Sequence, residues 1–202
     1  YDFVYTYSGK SFNPGVGFEA KDNYQGVRTI LQYGWLPERE TFLRYYSISL
    51  TAYDFWNTLT GLHETTNGIL KWHFEAKKGF YGNLAANWFI EDLADTLILG
   101  NDQASVTPGR YSFGYLSASY GSSGAHALSY ELTAEAGSFY DGWKLSFSAL
   151  PKLSIGTGFD LGLTYYFDYV NLSSSMSFIN HILGVRGLLT VTTKTSLSAY
   201  IQ

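Results

Sequence analysis

The chain has no cysteine, which excludes a disulfide framework and any thiolate metal site. It holds only four prolines, and Pro is the residue that a β-ladder tolerates least. No run of about 18 apolar residues occurs, so a transmembrane helix is excluded. Excess positive charge is missing too: 13 Lys and Arg face 17 Asp and Glu, and the net charge is −4. That balance offers no basic nucleic-acid surface. The four histidines, His63, His73, His126 and His181, show neither the i, i+4 helix spacing nor an HExxH pattern. At the N-terminus, YDFVYTY carries no initiator Met, basic region or apolar region, as in a mature chain or a fragment.

What is present is β-forming. Eighteen Tyr, 14 Phe and five Trp accompany 21 Gly in 202 residues, while mean hydropathy is only −0.08. A sheet with lipid on one face and water on the other averages to such a value. The stretch Leu153–Phe167, LSIGTGFDLGLTYYF, alternates throughout. Leu153, Ile155, Phe159, Leu161, Leu163, Tyr165 and Phe167 share one face. Ser154, Gly156, Gly158, Asp160, Gly162, Thr164 and Tyr166 share the other. This reads as one long strand, with one face apolar and the other small and polar.

About eleven strand-like segments follow from the same periodicity: 1–8, 24–35, 41–53, 65–76, 79–90, 109–121, 125–137, 142–150, 152–167, 178–192 and 194–202. Their connections alternate between short and long. The short ones are 36–40, 77–78, 121–124, 150–152 and 193–194; the long ones are 9–23, 54–64, 91–108, 137–141 and 168–177. The fold expected is all-β: a transmembrane antiparallel up-and-down β-barrel of the bacterial outer membrane, with tight turns at one rim. Residues 1–202 then form a single barrel domain. An odd number of strands points to part of a larger barrel, truncated at both ends, because single-chain bacterial barrels have even strand numbers.

The faces give candidate site residues. Arg28, Lys71, His73, Glu131, Glu135, Lys144, Asp160 and Arg186 fall on the polar face and are expected to line a lumen, as an ion-pair lattice or as the selectivity lining of a channel. Tyr81, Phe89 and Tyr166 on that face point to a filled or narrow interior. Trp35, Trp88 and Trp143, at or near strand ends, are expected in an aromatic girdle at headgroup level. Glu131 and Glu135 lie about 13 Å apart along a strand at about 3.3 Å per residue, too far for a glycosidase pair.

Other motifs are weaker. His63 and Glu64 on an outer loop could form a rim hydrolase, though solvated loop residues explain them as well. Asp92, Asp95, Asn101 and Asp102 read as a solvated acidic loop, without the spacing of an EF-hand. Residues 13–17, NPGVG, form a turn rather than a phosphate loop, and Asn171-Leu172-Ser173 matches the N-x-S pattern by chance. No catalytic, metal or cofactor residue is assigned.

The segments GSFYDGWKLSFSALPKLSIGTGFDLGLTYYFDYVNL (Gly137–Leu172), SFNPGVGFEAKDNY (Ser11–Tyr24), PGRYSFGYL (Pro108–Leu116) and SLSAYIQ (Ser196–Gln202) resemble, in order and spacing, a Bacteroidota outer-membrane family. In that family a carbohydrate-binding module of family 9 precedes a C-terminal barrel. The resemblance implies an envelope barrel without established catalytic residues. Its expected partners are outer-membrane lipid, lipopolysaccharide and other outer-membrane or periplasmic proteins. The role expected first is an anchor or assembly component; a channel or binding barrel for small polar solutes such as oligosaccharides comes second, and the rim hydrolase third.

Overall fold

The computed structural model describes residues 1–10, 23–38, 40–100, 103–124, 126–173 and 176–202. The chain folds as β1 (Asp2–Ser8), β2 (Tyr24–Trp35), β3 (Leu43–Asn57), β4 (His63–Ala76), β5 (Phe80–Leu93), β6 (Leu97–Leu99), β7 (Ala104–Val106), β8 (Gly109–Ser122), β9 (Leu128–Ser129), β10 (Glu131–Phe139), β11 (Gly142–Ala149), β12 (Lys152–Ile155), β13 (Phe159–Asn171), β14 (Ser177–Thr192) and β15 (Thr195–Ile201). Thirteen of these join one antiparallel sheet; β6 and β7 form a separate two-stranded hairpin. Among the described residues β1 pairs only with β2 and β15 only with β14, so the described sheet is open at both edges and is not a closed barrel.

Two strands are each built of two segments. The register of β11 on β13 (Ala149↔Tyr165) continues without a shift into β12 (Lys152↔Gly162), bridged by the Leu163 N–H donating to the Pro151 carbonyl at 2.9 Å. In the same way β9 continues into β10, since Leu128↔Leu153 and Leu132↔Ala149 share one register. With these joins the sheet makes eleven passes.

The long strand expected from Lys152 to Phe167 is therefore corrected. It contains a hairpin, with the turn at 156–158 and Gly156 at φ 60°. The turn expected at Pro151 is extended chain instead. Pro lacks an N–H for the ladder, yet nothing opposite requires one. Tyr130 spends its backbone groups on Ser122, accepting from the Ser122 N–H at 2.9 Å and donating to its Oγ at 3.1 Å.

The expected alternation of short and long connections is also corrected. One rim carries the connections 36–42, 77–79, 123–127, 156–158 and 193–194; the other carries 9–23, 58–62, 94–108, 140–141 and 172–176. The second rim thus contains a turn as tight as Tyr140–Asp141, closed by Phe139↔Gly142. Strand ends there run further than expected because polar residues such as Asp54, Glu91, Asp92 and Asp168 join the ladder.

Register places side chains in rows across the sheet. Leu31, Leu50, Leu70, Ala86, Leu116, Ala136, Leu145, Tyr169 and Ile179 are successive partners, as are Tyr33, Ile48, Trp72, Leu84, Ala118, Ala134, Phe147 and Phe167. The row between them, on the opposite face, runs Gln32, Ser49, Lys71, Ala85, Ser117, Glu135, Ser146, Asp168, and the next on that face Gly34, Ser47, His73, Asn83, Ser119, Thr133, Ser148, Tyr166. The burial is inverted relative to a water-soluble sheet. Leu116 is 68% and Leu84 54% exposed, while Ser47 and Ser49 on the polar face retain 3% and 7%.

The buried apolar core is small and lies elsewhere. The β6–β7 hairpin folds over the second rim, and its Ala104 and Val106 are buried with Val170 and Leu172. Leu93, Leu97, Leu99, Tyr111, Phe139, Tyr140, Met176 and Phe178 surround them. Tyr111, Phe139, Val170 and Phe178 belong to the polar face, so the hairpin stoppers one end of that face. This corrects the solvated acidic loop expected for 91–108 at Asp92, which lies in β5, and at the buried hairpin, while Asp95 is exposed as expected; Asn101 and Asp102 lie outside the described residues, as do residues 13–17.

Candidate functional site

The polar face holds a trough. An open basin of about 430 Å³ is lined from β3, β4, β5, β8 and β10 by Ser49, Thr51, Tyr53, Lys71, Asn83, Asn87, Ser117, Ser119, Glu131, Thr133 and Glu135, among others. Its floor is hydrogen-bonded. Asn83 Nδ2 donates to Ser119 Oγ at 2.8 Å, Asn87 Nδ2 donates to Ser117 Oγ at 3.2 Å, and His73 Nδ1 lies 2.9 Å from Asn83 Oδ1.

The eight polar-face candidates fall together on this face by register, though in separate groups. Lys144 Nζ donates to Glu135 at 2.8 Å and sits 3.7 Å from the Tyr115 ring centroid. Arg28 pairs with Asp2 at 2.7 Å, His73 lies 3.5 Å from Glu75, and Lys152 pairs with Asp160 at 2.9 Å. Glu131 accepts from the Tyr81 phenol at 3.3 Å. Arg186 lines a separate recess with Lys152 and Asp160. Phe89 stacks on Phe113 at 5.2 Å, towards the stoppered end.

The three tryptophans lie on the apolar face but not at one level. Trp35 ends β2 and stacks on Tyr46 at 5.0 Å, while Trp143 sits near the start of β11, 5.0 Å from Tyr169 at the opposite rim. Trp88 lies inside β5 and covers Gly68, where a Cβ would come within 1.9 Å of the indole. Glycine is required there because the ring occupies the space a side chain would take. More aromatics mark the first rim than sequence suggested: Trp72 with Phe74 at 5.2 Å, and Phe80 with Tyr120 at 6.0 Å.

At the stoppered rim a polar cluster ends the apolar face. His63 Nδ1 lies 2.5 Å from Asp92 Oδ2, and its Nε2 lies 2.8 Å from Thr66 Oγ1 and 3.2 Å from Asp54 Oδ1. The Thr66 hydroxyl donates to Asp54 at 2.7 Å, and Arg110 Nε is 3.8 Å from Asp92. The acid beside His63 is thus not its chain neighbour Glu64, which accepts from Asn57 at 3.0 Å at a bulge in β4. His63 at this rim was expected beside Glu64, but its actual partners come from β3, β4 and β5 through register, which no local pattern announces. Next to it Tyr140 donates to Glu91 at 2.6 Å; burial first, then the hydrogen bond and charge of Glu91, push its phenol well above the usual tyrosine value. Among the described residues no group of three or more His, Cys, Asp or Glu is arranged to hold a metal ion.

The fold and this site define an all-β protein with one large antiparallel sheet, apolar on its exposed face and polar on the other. Comparison with family models, curated proteins and solved structures finds no match.

Proposed function

We propose that this sheet is the wall of an outer-membrane β-barrel that serves as an anchor or component of an envelope assembly. The observation that carries the proposal is the inverted amphipathicity. Rows of Leu, Ile, Phe and Trp stand exposed across the whole sheet, whereas monomeric soluble proteins rarely expose apolar patches beyond a few hundred Å². Every backbone group of a membrane sheet must find a partner, so on this reading the open edges are closed by further strands.

The band is nearly as tall as the apolar belt of such a barrel. It runs along β2 from Val27, in the row of Asp54 and Thr66, to Trp35, in the row of Tyr46 and Phe74. Eight steps at about 3.3 Å span about 26 Å along the strand, which at the tilt of about 35–45° usual for membrane strands is a height of about 18–21 Å, against a belt about 25 Å tall in outer-membrane barrels. The resemblance of the Gly137–Leu172 segment to a Bacteroidota barrel family supports the same compartment. Outer-membrane lipid and lipopolysaccharide are then its immediate surroundings.

The β6–β7 stopper favours a non-conducting role over an open channel. A second reading, a barrel that binds small polar solutes, is favoured by the trough beyond the stopper.

Adjacent positions on opposite faces test the proposal. The chain has no cysteine, so Leu116→Cys and Ser117→Cys are clean single probes. In lipid vesicles a charged, membrane-impermeant thiol reagent is expected to modify Ser117→Cys and spare Leu116→Cys. Equal modification of both would place the apolar face in water and sink the membrane reading.

A further inference from the structure

We propose that the trough is a binding site for a short zwitterionic peptide, held by its two charged ends. The inference rests on the reading of the polar face as a water-filled interior. Its basis is where the trough leaves charge unsatisfied. Of its three charged lining residues, Glu135 is neutralised by Lys144 at 2.8 Å. Glu131 keeps its charge, since its partner at 3.3 Å is the neutral Tyr81 phenol. Lys71 keeps its charge too: among the described residues it makes no hydrogen bond or ion pair, and it is exposed to the basin.

The trough is therefore neutral as a whole and strongly dipolar, with a cation on β4 and an anion on β10. On β5 and β8 between them the basin is lined by hydroxyls, side-chain amides and small residues: Asn83, Ala85, Asn87, Ser117 and Ser119. β4, β5, β8 and β10 are successive neighbours, three spacings or about 14 Å across, and Glu131 lies four residues along β10 from Glu135, which shares the row of Lys71, so the two backbone positions stand about 19 Å apart. Both side chains line the same basin, and the reach of a lysine and a glutamate side chain takes up part of that distance. An extended tripeptide spans about 10 Å. Its carboxylate would meet Lys71, its ammonium Glu131, and its peptide groups the amide and hydroxyl floor. A neutral saccharide would use the floor but make no ionic contact with either charged residue.

Isothermal titration of the detergent-solubilised full chain with trialanine tests this. Free trialanine is expected to bind, and N-acetylation or C-amidation to weaken it about tenfold each. Lys71→Gln should abolish the effect of the C-terminal block alone, and Glu131→Gln that of the N-terminal block alone. Retention of heat-modifiable migration on gels verifies that both variants fold. Equal affinity for free and doubly blocked trialanine, or tighter binding of a neutral trisaccharide, would overturn the assignment. Absence of peptide binding while Ser117→Cys is labelled from water overturns this inference alone. A shielded Ser117→Cys overturns the water-filled interior and this inference with it.

Discussion

Leu116 sits at the middle of the apolar face. Along β8 the same face reads Ser112, Gly114, Leu116, Ala118 and Tyr120, from the His63 rim to the aromatic rim. Leu116 is 68% exposed, so an arginine there would meet no steric barrier. In water, Leu116→Arg would then be a surface substitution, within about 0.5 kcal/mol of neutral. At a bilayer midplane the same change costs about 2–4 kcal/mol. At about 1.4 kcal/mol per decade this lowers the folding equilibrium constant about 30- to 700-fold. Ser112→Arg is the control, because it shares the row of Asp54 and Thr66 at the edge of the band, where the cost is about 0–1 kcal/mol. Guanidinium unfolding in phosphatidylcholine vesicles, followed by tryptophan emission, measures both. Equal stabilities for the two variants, or wild-type stability of Leu116→Arg, would refute the argument that this face is immersed in lipid.

Three other outcomes are expected. Val106, in the hairpin itself and 2% exposed, cannot accept an unpaired carboxylate; Val106→Asp should expel the stopper and turn a silent barrel into one with measurable conductance in a planar bilayer, whereas an already open wild type would contradict the stopper. Because the folded-state phenol of Tyr140 is raised above its unfolded value near 10, its stabilising bond to Glu91 is fully present below pH 10 and is lost as pH climbs through the raised value. Ultraviolet titration should therefore lose a late-ionising phenolate in Tyr140→Phe, and an unchanged late part of the profile would refute the assignment. Gly68→Val should displace the Trp88 indole, costing about 1–3 kcal/mol and shifting the emission of a variant that retains only Trp88; an unmoved spectrum would show that the contact is not tight.

The eleven passes and their two faces were legible in the sequence because side chains alternate with a period of two whether or not the partner strand is known. Leu84, Trp88, Leu132, Leu145, Phe147 and Leu163 lie on the face their alternation assigns them, as do Lys71, Glu131, Glu135 and Lys144 on the other. The Gly156 turn was hidden for the same reason. A three-residue turn leaves Ile155 and Phe159 opposite one another on one face, so the alternation passes through it unchanged. Pro151 misled in the opposite direction, because its missing N–H matters only if the facing residue needs it, and Tyr130 does not.

By itself, then, the sequence determined a sheet of long strands, its polar and apolar faces, and the absence of thiol chemistry. Only the tertiary structure decided that His63 meets Asp92 and Asp54, that Lys144 meets Glu135, that Lys71 and Glu131 border one basin, and that β6 and β7 fold inward. The division has a physical cause. Facing is a local property, fixed by backbone geometry within a strand. Which residues stand side by side depends on register between strands, and register is set by turns and close approaches such as Gly156 and Gly68, whose local patterns look like any other small residue in a strand.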